Sequence, residues 1–283
     1  MRRLTQKLSA QKGMTLIELM IAASLSLIIM YFITNIMVTS SRTAMQSEGL
    51  SQAQENGRFI LSWLQGNVRS AGSPYPSDVS QERIQPFADV CASSTVVPPA
   101  ANADCSFDAS AGSGSDRIAV RRTFVNDPVF ASENSNISCS GETITTVSDG
   151  DEITDVYWVD KTSDAYGGVL KCATYNNQHQ IIGSVQEIAN GIEGLQVLYG
   201  VAADEDFQYR SITNRYIALS DLGDPVEWDK ISAIRISILT RAFTERSTDK
   251  KKRSYILLDA TPVTYDDAVA RHIQTTTIFL ANE

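Results

Sequence analysis

Residues 14–69 contain no proline, and their hydrophobic pattern changes once, from apolar throughout to amphipathic. Residues 19–41 carry no charged side chain, and about 20 apolar residues are enough for a helix to cross a bilayer. Arg42 is the first charge after this stretch, and Pro74 is the first proline. We therefore predict one helix over residues 14–69, whose first half suits lipid or the apolar interior of an assembly.

The second half of this predicted helix is amphipathic. Apolar side chains recur there three or four positions apart, which places them on one helical face; they are Leu50, Ala53, Phe59, Ile60, Trp63, Leu64 and Val68. We expect that face to pack on a sheet and the helix to end at Gly72 and Pro74. Gly49, Gly57 and Gly66 are expected to weaken it, each by about 1 kcal/mol relative to alanine.

Strand signals dominate from residue 117 onward. Short runs rich in β-branched and aromatic residues, separated by turn residues, predict strands at 117–123, 153–159, 168–172, 194–202, 231–241, 255–258 and 273–280. The second and third of these form a predicted hairpin. One helix followed by a series of strands is the pattern of an α+β fold, with the helix packed on an antiparallel sheet.

Two segments have unusual composition. Residues 73–115 are rich in Ser, Ala, Pro, Gly and Asp and are predicted to be loops. Lys250–Arg253 is a run of four cations between two apolar runs. We interpret it as the solvated tip of a hairpin, with anionic lipid or an acidic partner as the alternative.

The four cysteines indicate an oxidising compartment. Cys91, Cys105, Cys139 and Cys172 are even in number, widely spaced and without a C-x-x-C pair, which favours disulfides over zinc or redox chemistry. Spacing leaves all three pairings open. We favour Cys91 with Cys105 and Cys139 with Cys172, because the first bridge would close a loop with little core of its own.

Charge argues against nucleic acid as a ligand. The 283-residue chain has a formal net charge of −9, and loss of the four cations before the apolar stretch would lower it to −13. Phosphate binding depends on Lys and Arg, so an acidic surface disfavours it. Cations before the span also predict a cytoplasmic N-terminus, with the remainder outside the cytoplasmic membrane.

Catalytic motifs are absent from the sequence. The two histidines, His179 and His272, do not adjoin a serine or cysteine motif, and no phosphate-binding loop or metalloprotease pattern occurs. Asp266 and Asp267 are neighbours and are interpreted as surface residues. We predict no enzymatic activity and no cofactor.

The segment Gly13-Met14-Thr15-Leu16-Ile17-Glu18, preceded by a basic leader, resembles the processing site of the type IV pilin family. The resemblance implies that a prepilin peptidase cuts after Gly13 and methylates the new N-terminus on Met14, where Phe is more usual. It also implies that Glu18, the fifth residue of the mature chain, pairs with a neighbouring subunit's amine. A lone carboxylate in a membrane segment otherwise costs about 3 kcal/mol. The alternative is an uncleaved signal anchor.

Further segments are similar to the PilW-like minor pilins. They are Val68–Gly72, Leu170–Cys172, Ile188–Val201 and Trp228–Leu239. This resemblance implies a low-abundance subunit that, with other minor pilins, the major pilin and a PilY-type adhesin, primes pilus assembly and ends at the tip. The acidic run Asp204-Glu205-Asp206 is interpreted as a polar turn, with a calcium site as the alternative.

The resulting domain plan has four parts: a leader at 1–13, a membrane and filament-core helix at 14–41, an amphipathic helix at 42–72, and a disulfide-stapled β-rich domain at 73–283. We expect a single-pass inner-membrane protein before assembly and a pilus subunit afterwards. Two other functions remain open, a minor pseudopilin of a type II secretion system and a membrane-tethered periplasmic binding domain.

Overall fold

The computed structural model describes residues 13–73, 84–91, 96–109, 114–129, 135–162, 167–202, 213–223, 225–243 and 250–280. The chain divides into two compact units, Met1–Met45 and Gln46–Glu283.

Helix α1 spans Leu16–Val68, which confirms the predicted helix and its proline-free length. Its first half contains an 18-residue window with a mean hydropathy of 2.3, and none of that window is buried. Polar side chains in this half bond to the helix itself: Ser26 donates to the Ala22 carbonyl at 2.7 Å, and Thr34 donates to the Met30 carbonyl at 2.8 Å. The helix therefore satisfies these hydroxyls without water.

The second half of α1 buries one face, although not all the predicted residues belong to it. The buried residues are Gly49, Ala53, Gly57, Ile60, Leu61, Leu64 and Val68. Phe59 remains 60% exposed and Leu50 38% exposed, so the prediction was wrong for these two. Each lies one position from a buried residue, about 100° around the helix from it, and so points away from the sheets.

Two glycines of α1 permit close packing. A Cβ at Gly57 would lie 2.8 Å from the side-chain amide of Gln274, and one at Gly49 would lie 3.4 Å from the Cβ of Ala242. Gln274 Nε2 donates to the Gln54 carbonyl at 2.6 Å. These glycines thus let the sheet approach the helix backbone, a role that the helix-propensity argument missed.

Ten strands lie in the described part of the chain: β1 (Arg117–Thr123), β2 (Glu152–Asp160), β3 (Val169–Asn176), β4 (Ile181–Asn190), β5 (Ile192–Ala202), β6 (Thr213–Ile217), β7 (Ile231–Arg241), β8 (Lys251–Tyr255), β9 (Val263–Asp267) and β10 (Arg271–Phe279). Six of them confirm predicted strands. The pattern missed β4, β6 and β9, which have no fully buried residue and therefore no apolar alternation to reveal them.

The prediction for the basic run was wrong. Lys251–Tyr255 is itself a strand, β8, and pairs antiparallel with β9. Residues 256–258, predicted to be strand, follow β8 and lead into a turn. Lysines are poor strand formers, but Lys251 and Lys252 face Asp267 and Asp266 across the ribbon, and opposite charges on facing positions stabilise a pair of strands.

The strands form two four-stranded antiparallel sheets and one two-stranded ribbon. Sheet 1 has the order β1-β2-β3-β4 and sheet 2 the order β10-β7-β5-β6, while β8 and β9 form the ribbon. Within sheet 2, Leu195, Val197 and Tyr199 lie opposite Ile238, Ile236 and Ile234. This apolar face, the buried face of α1 and part of sheet 1 make the main core.

The two sheets meet at Asp116, just before β1. The backbone N–H of Val197 donates to its carboxylate at 2.7 Å, and that of Ala109 donates at 2.9 Å. Its own N–H donates to the Leu195 carbonyl at 2.8 Å. Burial raises the pKa of Asp116 to about 7, against the lowering effect of the two N–H donors, and the charges of Asp108 and Asp259 raise it further.

Two disulfides join Cys91 to Cys105 and Cys139 to Cys172. This is the pairing favoured from the sequence. The first closes part of the predicted loop region, and the second ties a loop to β3, where Cys172 is fully buried in the main core. Each contributes about 2–4 kcal/mol to stability by restricting the unfolded chain.

Candidate assembly segment

The segment around the predicted cleavage point is open. Gly13, Met14 and Thr15 are exposed and precede the first helical residue, Leu16. A Cβ built on Gly13 would meet no atom within 4 Å among the described residues. The basic leader, residues 1–12, lies outside the described residues. The peptide bond after Gly13 is therefore presented in a non-helical, accessible stretch, as a proteolytic site requires.

Glu18 forms a capping box with Thr15 in this structure. The Thr15 backbone N–H donates to Glu18 Oε2 at 2.9 Å, and the Thr15 hydroxyl donates to the same oxygen at 3.0 Å. In return, the Glu18 N–H donates to Thr15 Oγ1 at 3.3 Å. This reciprocal arrangement caps the N-terminus of α1, and a carboxylate there also opposes the positive end of the helix dipole.

Capping was not part of the sequence interpretation of Glu18. The motif was visible in the sequence, because Thr15 and Glu18 have the spacing of a capping box. The geometry places the carboxylate beside the backbone nitrogen of Thr15, one residue from the nitrogen of Met14. A cationic amine delivered to this position would meet a carboxylate that is already oriented.

A second group of charged residues, a largely buried ion network, lies where the ribbon meets sheet 2. Arg271 donates to both carboxylate oxygens of Asp267 at 2.7 Å and to Glu193 Oε1 at 3.1 Å. Its guanidinium carbon lies 3.7 Å from the ring centre of Tyr265. Burial alone would lower the pKa of Arg271, but the hydrogen bonds to Asp267 and Glu193 and their negative charges raise it above its usual value. The network holds β9 against β10.

No metal centre emerges from the described residues. No three His, Cys, Asp or Glu side chains among them are arranged to hold a metal ion. The predicted polar turn at Asp204 and Asp206 lies outside the described residues. His179 Nδ1 is 2.7 Å from Asp104 Oδ2, and this histidine side chain is 56% exposed, which is the geometry of a surface pair.

Two models of known protein families match this chain, one near its N-terminus and one in its C-terminal half. The model of the prokaryotic N-terminal methylation motif matches residues 8–30, which include Gly13 and Glu18. The model of type IV pilus-assembly protein W, PilW, matches residues 156–282, from within β2 to beyond β10. Together, these two matches support a minor pilin of the type IV pilin family.

The recognition of a PilW-like minor pilin from the sequence is thereby confirmed. Among solved structures, the type IV-like pilin TTHA1219 from Thermus thermophilus is similar, with a TM-score of 0.35 and 14% identity over 61% of this chain and 81% of that one. The assignment does not depend on that likeness. No curated protein matches the chain significantly.

Proposed function

We propose that this minor pilin takes part in priming type IV pilus assembly and in the tip complex, together with other minor pilins, the major pilin and a PilY-type adhesin. One observation carries the proposal: a single chain joins an N-terminal methylation motif at residues 8–30 to a PilW-type domain at 156–282. In this role the protein is structural and performs no reaction of its own.

Processing would proceed at the open segment. Prepilin peptidase would cut after Gly13 and methylate the amine of Met14, which is 72% exposed. The inner membrane would hold the chain through the apolar helix, residues 14–41, with the remainder in the periplasm. Assembly would then transfer this helix from lipid to the filament core, so that the subunit becomes extracellular.

Glu18 would draw the subunit into the filament. Two opposite charges attract far more strongly in a low-dielectric core than in water, provided that close geometry offsets their desolvation. The capping box supplies such geometry because it orients the carboxylate before a neighbour's amine arrives. The incoming amine would replace the hydrogen bonds that Thr15 donates to the Glu18 carboxylate.

The test separates charge from capping. Glu18→Ala removes both, whereas Glu18→Gln keeps an oxygen that accepts the Thr15 hydrogen bonds and removes only the charge. We expect both variants to be processed normally and both to lose pilus incorporation and twitching. Normal pilus number with Glu18→Gln would contradict the amine pairing, because capping alone would then suffice.

The tip complex is tested separately. Wild-type full-length chain, crosslinked in cells that express the whole pilus machinery, should capture other minor pilins and the PilY-type adhesin. Capture of secretion pseudopilins instead, with loss of protein secretion on deletion and normal piliation, would overturn the pilus assignment. Gly13→Asp serves as the control, since an unprocessed chain should remain in the membrane and capture no filament neighbour.

A further inference from the structure

The run Lys250–Arg253, here called the basic segment, is an exception on an acidic protein. All four of its residues are exposed, while the chain without its leader cations has a net charge of −13. Within the described part of the chain, Lys250, Lys251 and Lys252 form no ion pair. Arg253 donates to the Val269 carbonyl at 3.4 Å, which leaves its charge unpaired, so the four adjacent cations make a local positive surface.

The two carboxylates of the facing strand do not cancel this charge. Asp267 lies opposite Lys251, but both of its oxygens accept hydrogen bonds from Arg271 at 2.7 Å. Those bonds hold the pKa of Asp267 below its usual value. Asp266, opposite Lys252, is the one carboxylate of the described ribbon that no arginine engages. The segment therefore keeps a net positive charge at neutral pH.

The basic segment lies at the end of the Gln46–Glu283 unit where the chain arrives from the apolar stretch. A Cβ on Gly49 would lie 3.4 Å from the Cβ of Ala242 and 3.6 Å from that of Ala270. Ala270 follows β9 by three residues, and the last residue of β9, Asp267, faces Lys251. The lysines are thus close to the first turns of α1 in this unit.

The chain itself limits the distance to the membrane. Gly49 is eight positions after Ser41, the last residue of the apolar stretch, and eight residue steps reach at most about 28 Å in any conformation. Lys230, by contrast, precedes the start of β7, about 33 Å of strand away from Arg241 and the ribbon end. Among the described lysines, Lys250, Lys251 and Lys252 thus lie at the end of the domain that the chain enters from the apolar stretch, and Lys230 lies away from it.

We propose that the basic segment binds anionic phospholipid headgroups at the outer face of the inner membrane before the subunit is assembled. Each Lys or Arg near an anionic bilayer raises the affinity of the protein for that surface about fivefold. The contact would hold the domain against the membrane, and extraction of α1 into the pilus would break it. The proposal rests on the membrane location given under the proposed function.

The experiment uses the full chain, processed and reconstituted in nanodiscs with or without anionic phospholipid. Brief amine acetylation, read by mass spectrometry, reports the reactivity of each lysine. In anionic nanodiscs we expect acetylation of Lys251 and Lys252 to slow about fivefold or more, with recovery in 1 M salt, where the Debye length falls to about 3 Å. Lys230 should react equally in both.

Paired variants test the contribution of neighbouring charges. Lys250→Gln with Lys251→Gln should remove most of the protection of Lys252, whereas Arg58→Gln with Arg69→Gln, which removes two exposed cations elsewhere, should leave it intact. Equal acetylation in the two lipids overturns the proposal. Protection that appears only when another pilin is added also overturns it and assigns the segment to a protein partner.

Failure of the lipid contact is distinguishable from failure of the proposed function. A chain that does not insert into nanodiscs at all contradicts the membrane location, which is scored by co-elution with the disc before any acetylation. A chain that inserts but shows no lipid-dependent protection contradicts only the basic segment's role. Piliation of a strain that carries Lys250→Gln with Lys251→Gln is measured separately from nanodisc insertion and from lysine protection.

Discussion

The two halves of α1 differ in what completes them. In the apolar half, residues 16–41, side chains such as Leu27 remain 70% exposed and the hydroxyls bond back to the helix. In the packed half, residues 46–68, Leu64 and Val68 are fully buried against the sheets. The packed half is covered by apolar residues of its own chain, while the apolar half needs lipid or other subunits to cover it.

The two halves of α1 also differ in where their polar groups find hydrogen-bond partners. In the packed half, the sheets provide partners: Thr240 donates to the Ala53 carbonyl at 2.9 Å, and Asn56 donates to the Asn190 carbonyl at 2.9 Å. In the apolar half, Asn35 donates to the Tyr31 carbonyl of its own helix at 3.1 Å. A segment destined for lipid must satisfy its polar groups internally, and a segment that packs on a sheet need not.

The largest expected effect is the difference between two leucine-to-alanine variants, one in each half of α1. Leu64→Ala should lower the free energy of unfolding by about 2–5 kcal/mol, because it leaves a cavity in the core. Leu27→Ala should leave it unchanged. Denaturant unfolding of the full chain in detergent, followed by tryptophan fluorescence, measures both. Equal losses would erase the distinction between the halves.

Removal of the disulfides tests whether the sheets hold the packed half without them. Cys139→Ala with Cys172→Ala should cost about 2–4 kcal/mol. Cys91→Ala with Cys105→Ala should cost less, because its loop spans 14 residues rather than 33 and Cys172 is fully buried. Unfolding midpoints under oxidising conditions rank the two. A reversed order would show that the Cys91 loop matters more to the core than its burial indicates.

Asp116 offers a buried carboxylate to compare with the exposed Glu18. Since burial raises the pKa of Asp116 from 3.8 to about 7, the folded state binds its proton more tightly than the unfolded state does. Asp116 therefore favours folding most below about pH 4, and this contribution declines as pH rises towards 7, by up to about 1.4 kcal/mol per pH unit.

The measurement is the difference in unfolding free energy between Asp116→Asn and wild type at pH 4.5, 6 and 7.5. Relative to wild type, the variant should gain stability as pH rises, because it cannot ionise. Thr145→Ala, which alters an exposed residue before β2, is the control and should show no such trend. A pH-independent difference for Asp116→Asn would mean that the carboxylate ionises normally in the fold.

The smallest expected effect compares two glycines of the packed half. Gly66→Ala should raise the free energy of unfolding by about 1 kcal/mol, since the new methyl group meets no atom within 4 Å and alanine favours the helix. Gly57→Ala should gain less or lose stability, because its methyl group displaces the Gln274 amide from the Gln54 carbonyl. Thermal unfolding resolves the difference. Equal gains would show that Gln274 readjusts freely.

Strong hydrophobic patterns were sufficient to predict most of the elements. The apolar stretch before Arg42 and the proline-free length predicted α1, and the alternation around Ile234, Ile236 and Ile238 predicted β7. Strands with no fully buried residue, such as β4, escaped prediction because their alternation is not imposed by a core. The basic segment was misassigned to a turn for the same reason: no residue of β8 is buried, and the strand forms by pairing with β9.

The sequence alone determined the apolar helix, the N-terminal methylation motif and the fold class, because each depends on local composition, local spacing or a repeating pattern. The cysteine pairing was favoured because the loop between Cys91 and Cys105 has little core of its own, but proximity in the fold decided it. Only the tertiary structure showed that Gly49 and Gly57 are contacts, that Asp116 is buried at the junction of the sheets, and that the basic segment lies beside the start of the packed half. Those properties depend on which distant residues meet, and hydrophobic periodicity does not specify that.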